Sequence, residues 1–269
     1  MGIMPHKKKN KYEISDLIKV MNKLRSPDCG CPWDLEQNFK SIAPHTLEEA
    51  YEVVDAIDRD DMSDLREELG DLLFQSIYHA QIASERGHFD MHDVIHDITA
   101  KMIFRHPHVF GEDVAKSAQD VNKIWENRKE EEKGAQNSVL DGVTANLPAL
   151  LKAQKLQKKA AKTGFEWENP TFVLDKLEEE IAEMREAIAN KDKENQAEEL
   201  GDILFLLANY ARMLDINAEE ALRQCNNKFT RRFGGVEKDI KDRGLKFEDV
   251  TLKDMELSWN KQKKKEKER

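Results

Sequence analysis

The chain has 269 residues, 36% of them charged, with only 12 glycines and 7 prolines and a formal net charge of −10. That charge argues against a coat for nucleic-acid polymers, and no apolar run approaches a membrane span. The length suits one large domain or two of ordinary size, and long breaker-free stretches rich in Ala, Leu, Glu and Lys read as helices.

The N-terminal Lys7, Lys8 and Lys9 are followed by no apolar stretch of the signal-peptide kind. Three cysteines, an odd number, make no disulfide framework, so a soluble protein in a reducing cytoplasm is expected. Cys29-Gly-Cys31 without a second pair reads as two thiols in a turn rather than a zinc site.

Taken in chain order, Thr46-x-x-Glu49 has the form of a capping box and predicts a helix starting at Thr46. Asp58 to Ser63 reads as a turn. A second helix is expected from about Asp64 to Arg86, with Leu65, Leu69, Leu72, Leu73, Ile77 and Ala80 at helical spacing and Gly87 as its C-terminal cap. A third starts near Asp90 and must stop by Pro107. Residues 131–150 read as a linker. Beyond it helices are expected from about Thr171 to Ala189, from Glu194 to Leu214, and from Asn217 to Phe233, the last ended by Gly234-Gly235. The tail from Lys261 reads as a solvated, frayed charge run.

An acidic pattern occurs twice. Glu48-Glu49-x-x-Glu52 is followed after fifteen residues by Glu68-Leu-Gly-Asp71, and Glu179-Glu180-x-x-Glu183 after fifteen residues by Glu199-Leu-Gly-Asp202. The repeat is wider than its acids. Trp33 and Trp167 precede the two copies; Lys101-x3-Arg105 and Lys228-x3-Arg232 follow them, and then come Trp125-x3-Lys129 and Trp259-x3-Lys263. Two copies are too few for a solenoid. They predict a duplicated all-α protein: 12–130 as one helical domain, 151–263 as a second, and 264–269 as a charged tail.

Residues three or four apart share a helix face. Glu180 with Glu183, and Glu199 with Asp202, therefore form two acidic pairs that a short turn sets opposite each other. Two unit charges about 6 Å apart repel by roughly 3 kcal/mol at an effective dielectric near 20. Either some of these carboxylates hold protons or a cation sits among them. An all-oxygen set suits Mg²⁺, Mn²⁺ or Ca²⁺, and Glu-x-x-Asp in place of Glu-x-x-His disfavours a di-iron bundle. A solvated acidic face is the alternative reading. It does not explain the shared spacing, although common ancestry of the copies would preserve it. Gly70 and Gly201, each costing roughly 1 kcal/mol relative to alanine in mid-helix, suggest close approach of a helix or ligand beside Asp71 and Asp202.

The duplicated motif, with Cys31-Pro-Trp-Asp34 and Arg105-His-Pro-His-Val-Phe110, resembles the MazG family of nucleoside triphosphate pyrophosphohydrolases in its two-domain bacterial form. The resemblance covers about Asp16 to Lys263. It implies a dimerising or higher-order all-α bundle with Mg²⁺, or Mn²⁺ as substitute, that cleaves nucleoside triphosphates between the α and β phosphates. Glu180, Glu183, Glu199 and Asp202 would bind metal, with Glu179 or Glu180 handling the proton of a water. Lys176, Lys228, Arg231, Arg232, Trp259 and Lys263 would bind substrate. The N-terminal counterparts are Glu49, Glu52, Glu68, Asp71, Lys101, Arg105, Trp125 and Lys129. The main activity is expected in the second copy. A nucleotide-binding or dimer-building module without turnover, especially in the first copy, and a structural scaffold remain the rival readings.

Overall fold

The computed structural model describes residues 11–132 and 138–267, and helices with one short 3₁₀ turn are the regular elements of these residues. The chain divides into two units between residues 134 and 135. Lys7, Lys8, Lys9 and residues 133–137 of the expected linker lie outside the described residues. No helix among those described is long and apolar enough to cross a membrane.

The N-terminal unit contains α1 (Ile14–Leu24), α2 (Pro32–Glu36), α3 (Phe39–Asp58), α4 (Met62–Glu85), α5 (Met91–Arg105), α6 (Pro107–Phe110) and α7 (Ala118–Glu132). Its core joins Met21 of α1, Ile42 of α3, Ile77, Tyr78 and Ile82 of α4, and Met91 of α5. The C-terminal unit contains α8 (Ala149–Ala161), α9 (Pro170–Ala189), α10 (Lys193–Met213), α11 (Ala218–Asp242), a 3₁₀ turn (Phe247–Asp249) and α12 (Leu252–Lys267). Here Val173, Ala187, Ala208, Val236 and Ile240 are buried. Gln154 ties three helices: its amide nitrogen donates to Ala208 O at 3.2 Å and Ile216 O at 2.8 Å, and its oxygen accepts from Ala218 N at 3.1 Å.

The two units share one hairpin turn. Asp60 (φ 55°) and Lys191 (φ 57°) take the left-handed conformation. The next residue caps the following helix: Asp61 accepts from Ser63 N and Asp64 N, and Asp192 from Glu194 N and Asn195 N. The amides of Asp61 and Asp192 bond back to the carbonyls of the buried Ala56 and Ala187, each at 3.0 Å. This closed turn fixes α4 against α3 and α10 against α9 in the same register. The register decides which carboxylates meet.

Four expectations are corrected. The first acidic helix starts at Phe39, because Asn38 accepts from Lys40 N and Ser41 N and is the stronger cap; Thr46 lies inside α3, with its hydroxyl 2.9 Å from His79 Nε2. The helix from Asn217 does not end at Gly234-Gly235 but runs to Asp242. Its Gly235 lies against the Gln262 side chain of α12, whose amide donates to the Gly235 carbonyl at 3.2 Å. The tail from Lys261 is helical through Lys267, held by Glu266 pairing with Arg231 and Arg232; residues 268–269 lie outside the described residues. A methyl group built at Gly70 or Gly201 meets nothing within 4 Å, so no neighbouring helix among the described residues approaches there. The expected cap at Gly87 (φ 70°) is present, with His88 N bonded to Ala83 O at 3.1 Å.

Candidate metal and phosphate site

In the C-terminal unit Glu180 of α9 meets Glu199 and Asp202 of α10, with one oxygen of each within 4.8 Å of the others. In the N-terminal unit Glu49 of α3 meets Glu68 and Asp71 of α4 by the same criterion. The hairpin register thus brings together three of the four expected ligands in each copy. Glu183 and Glu52, one helical turn further on, lie outside these triplets but add their charge to them, Glu183 at Glu199 and Glu52 at Glu49 and Glu68.

The electrostatics follow from crowding. Burial, the Glu180 bond and the charges of Glu183, Glu180 and Asp202 push the Glu199 carboxyl up. Glu180 is held down, chiefly by Lys176. In the first copy burial and neighbouring carboxylates raise both Glu49 and Glu68. Glu199 Oε2 is buried and has no hydrogen-bond partner among the described residues, which leaves an acceptor open to a proton or a cation. An oxygen-only donor set with such an orphaned oxygen fits a hard divalent cation.

The copies differ in their nearest cation. Lys176 Nζ lies 2.8 Å from Glu179 Oε1 and 2.9 Å from Glu180 Oε1. The matching position of the first copy holds His45, whose Nδ1 is 3.5 Å from Glu48 Oε2.

The downstream residues form a second group in each unit. Arg232 lies over the Trp259 ring at 5.6 Å and Arg105 over the Trp125 ring at 5.2 Å. Glu266 pairs with Arg231 and Arg232; Glu132 pairs with Arg105. Each of these acids lies seven residues after its tryptophan, a spacing repeated in the two copies and absent from the predicted site residues. Lys228 and Lys101 are exposed, as is Lys263, and Lys129 is half-buried. Lys228 and Arg232 lie in the middle of α11, so they do not serve its C-terminal dipole. The cysteines are free; Lys23 donates to Cys29, and no cysteine joins a metal-binding cluster among the described residues.

The family model described as the MazG nucleotide pyrophosphohydrolase domain matches residues 37–110 and 168–236. A relative from Escherichia coli (strain K12), named nucleoside triphosphate pyrophosphohydrolase, is 47% identical over 260 residues, covering 94% of this chain and 98% of the relative. The chain belongs to the MazG nucleotide pyrophosphohydrolase family. A Thermotoga maritima member, named nucleoside triphosphate pyrophosphohydrolase/pyrophosphatase MazG, is 42% identical, covering 93% of this chain and 95% of its own. A solved structure of a mazG-related protein from Thermotoga maritima is 27% identical and covers 43% of this chain and 98% of its own, at a TM-score of 0.38. Both carboxylate triplets fall inside the MazG-matched segments, whereas Trp125, Trp259 and their acidic partners fall outside.

Proposed function

We propose that this MazG-family protein hydrolyses nucleoside triphosphates to the monophosphate and pyrophosphate, with Mg²⁺ (Mn²⁺ as substitute) on the carboxylate triplets and the main activity in the C-terminal unit. The observation that carries this reading is the triplet of Glu180, Glu199 and Asp202 with its buried, unpartnered Glu199 oxygen. The names of the full-length relatives support the reaction class.

When bound, Mg²⁺ neutralises phosphate charge and makes a coordinated water more acidic. The chain supplies the rest. Glu179, solvent-exposed and next to Glu180 on α9, accepts a proton from the attacking water once Lys176 leaves it. That water bonds to phosphorus as the oxygen bridging the α and β phosphates leaves with pyrophosphate. Lys176, already at the acids, transfers its ammonium contacts to the phosphates. Lys228, Arg231, Arg232 and Lys263 add positive charge beside Trp259, with the arginines exchanging Glu266 for phosphate oxygens.

A dimer or larger homo-oligomer fits the surface. Leu69 and Leu73 of α4 flank the open Gly70 and are 50% and 39% exposed. Leu200 and Leu204 flank Gly201 at 51% and 45%. This repeated apolar strip suits a helix from another copy of the chain. Three free cysteines suit the reducing cytoplasm.

The test is pyrophosphate release from a panel of triphosphates with and without Mg²⁺, in the wild type and in Glu180→Gln and Glu49→Gln variants. Glu180→Gln is expected to lower kcat about a hundredfold or more and Glu49→Gln less than threefold. Equal losses would overturn the assignment to one copy, and no loss in either would overturn the site. His45 in place of Lys176 favours a second reading for the N-terminal unit alone, a metal- or nucleotide-binding module without turnover.

A further inference from the structure

The turn between α1 and α2 carries a thiol on either side of one glycine, Cys29-Gly30-Cys31. Backbone bonds close it tightly. Gly30 N donates to Ser26 O at 2.7 Å, Cys31 N to Leu24 O at 2.7 Å, and Cys29 N to Ser26 O at 3.3 Å. A methyl group at Gly30 would lie 2.3 Å from Leu24 O and 2.6 Å from Ser26 O, so only glycine fits between the two cysteines. The chain bends at Gly30. Residues two apart have Cα atoms at most about 7 Å from each other, and a bend brings them within the span of a disulfide, about 4.4–6.8 Å.

Cys29 is exposed, and two polar groups meet its sulfur. Lys23, in the last turn of α1, donates its ammonium to it, and the Ser26 hydroxyl lies 3.4 Å away. These two partners push the Cys29 thiol down, against the opposing charge of Asp28. Thiolate is the form of cysteine that attacks disulfides, and Cys31, half-buried two residues on, is a second thiol within reach of the product. Metal binding is the other use of a sulfur pair. Two thiols fall short of the four ligands of a structural zinc, and neither joins a metal-binding cluster among the described residues.

The fold does not require these side chains. Ahead of the second copy the matching residues are Thr163-Gly164-Phe165, and Gln157 stands where the first copy has Lys23. The same place in the repeat is thus bridged without sulfur, with the glycine kept and both the thiols and the ammonium gone.

We propose that Cys29-Gly30-Cys31 is a thiol–disulfide exchange site for low-molecular-weight disulfides, with Cys29 as the attacking thiolate and Cys31 as the resolving thiol. The Cys29 thiolate bonds to one sulfur of the small disulfide, whose S–S bond breaks and releases the first small thiolate. Cys31 then gives its proton to solvent and attacks the Cys29 sulfur of the mixed disulfide, forming the Cys29–Cys31 bond and releasing the second small thiolate. The protein dithiol loses two electrons and the small disulfide gains them. An exposed disulfide of this kind is open to reduction by the same small thiols, so the modification is reversible. The site does not depend on the proposed hydrolysis.

The test has two arms. In the first, the reduced protein is treated with limiting iodoacetamide at neutral pH, and each cysteine is followed by peptide mass spectrometry. Cys225, exposed on α11, is the internal reference. Cys29 is expected to react about tenfold faster than Cys225 or more. Lys23 is exposed, so its substitution does not endanger folding. Lys23→Met is expected to remove most of the advantage, and Lys23→Arg, which keeps the charge, to retain it. In the second arm, the protein is treated with glutathione disulfide and digested without reduction. The wild type is expected to yield the Cys29–Cys31 disulfide and free glutathione, Cys31→Ser to stop at one glutathione on Cys29, and Cys29→Ser to carry no more adduct on Cys31 than on Cys225. A Cys29 no faster than Cys225, or a rate unmoved by Lys23→Met or lost equally in Lys23→Arg, would overturn the attacking role. Glutathione that persists on Cys29 of the wild type would overturn the resolving role. Either result sinks the exchange site.

Discussion

Lys176 Nζ lies 2.9 Å from Glu180 Oε1, one helical turn back along α9. The ammonium thus holds one oxygen of a carboxylate that the proposed metal also uses, and it is the main cause of the lowered Glu180 carboxyl. Lys176→Met removes a competitor of the metal and a ligand of the phosphates together. Mg²⁺ measured without nucleotide is expected to bind a few-fold more tightly, while KM for the triphosphate rises about tenfold. Calorimetry and steady-state kinetics on one preparation check both signs. A fall in Mg²⁺ affinity would show that Lys176 orients Glu180 instead of competing for it.

Glu266 holds Arg231 and Arg232 together beside Trp259. Arg231 is exposed and Arg232 and Glu266 are half-buried, so solvent screens much of the attraction in these pairs. Glu266→Gln is therefore expected to move the melting temperature by only about 2 °C or less. It frees the two guanidinium groups, so KM for the triphosphate is expected to fall two- to fivefold at low salt, an effect that 0.5 M salt erases. A rise in KM would show that Glu266 positions the arginines for substrate.

The duplicated spacing made the carboxylate triplets legible in the sequence. Glu49, Glu68 and Asp71, and Glu180, Glu199 and Asp202, lie on successive helices, and a short turn places each set together. The turn over Asp58 to Ser63 was visible, but its capping by Asp61, and that of the second turn by Asp192, is seen only in the structure. Other features depended on contacts distant in sequence. Gly234-Gly235 looks like a stop until Gln262 is seen lying against Gly235. Thr46 looks like a cap until Asn38 is seen capping the same helix two turns earlier. Gly70 and Gly201 were expected to admit a neighbour, yet they face open space in a single chain.

Arg25 is 6% exposed at its side chain and clamps Glu85 with two bonds, Nε to Oε1 at 2.8 Å and Nη2 to Oε2 at 2.7 Å. The guanidinium holds the Glu85 carboxyl below its ordinary range. A depressed carboxyl contributes stability that is fully present above its unfolded value, about 4.3, and is lost as pH falls through the lower folded value. Arg25→Met breaks a mostly buried pair and is expected to cost about 3 kcal/mol at pH 7. Amide exchange of Tyr78 and Ile82 in α4 reads this locally and avoids assuming one transition for two units. The difference between variant and wild type should shrink below about pH 4. A difference independent of pH would assign the loss to packing of the Arg25 side chain over Tyr78.

The proposed metal would couple its binding to folding at the triplets. Without metal, Glu180, Glu199 and Asp202 repel one another within 4.8 Å, and Glu199 takes up a proton more readily than an ordinary glutamate. Glu199→Gln removes one charge from this set, so the metal-free variant is expected to melt above the metal-free wild type. Mg²⁺ is expected to reverse the order. At a hundred times its dissociation constant a native-state ligand adds about 2.7 kcal/mol, which the wild type gains and the variant largely forfeits. Scanning calorimetry of both proteins at neutral pH with EDTA and with Mg²⁺ measures the crossing. A variant less stable than wild type in EDTA would show that the triplet is held by hydrogen bonding rather than strained by charge. An undiminished Mg²⁺ shift in the variant would place the metal on other ligands.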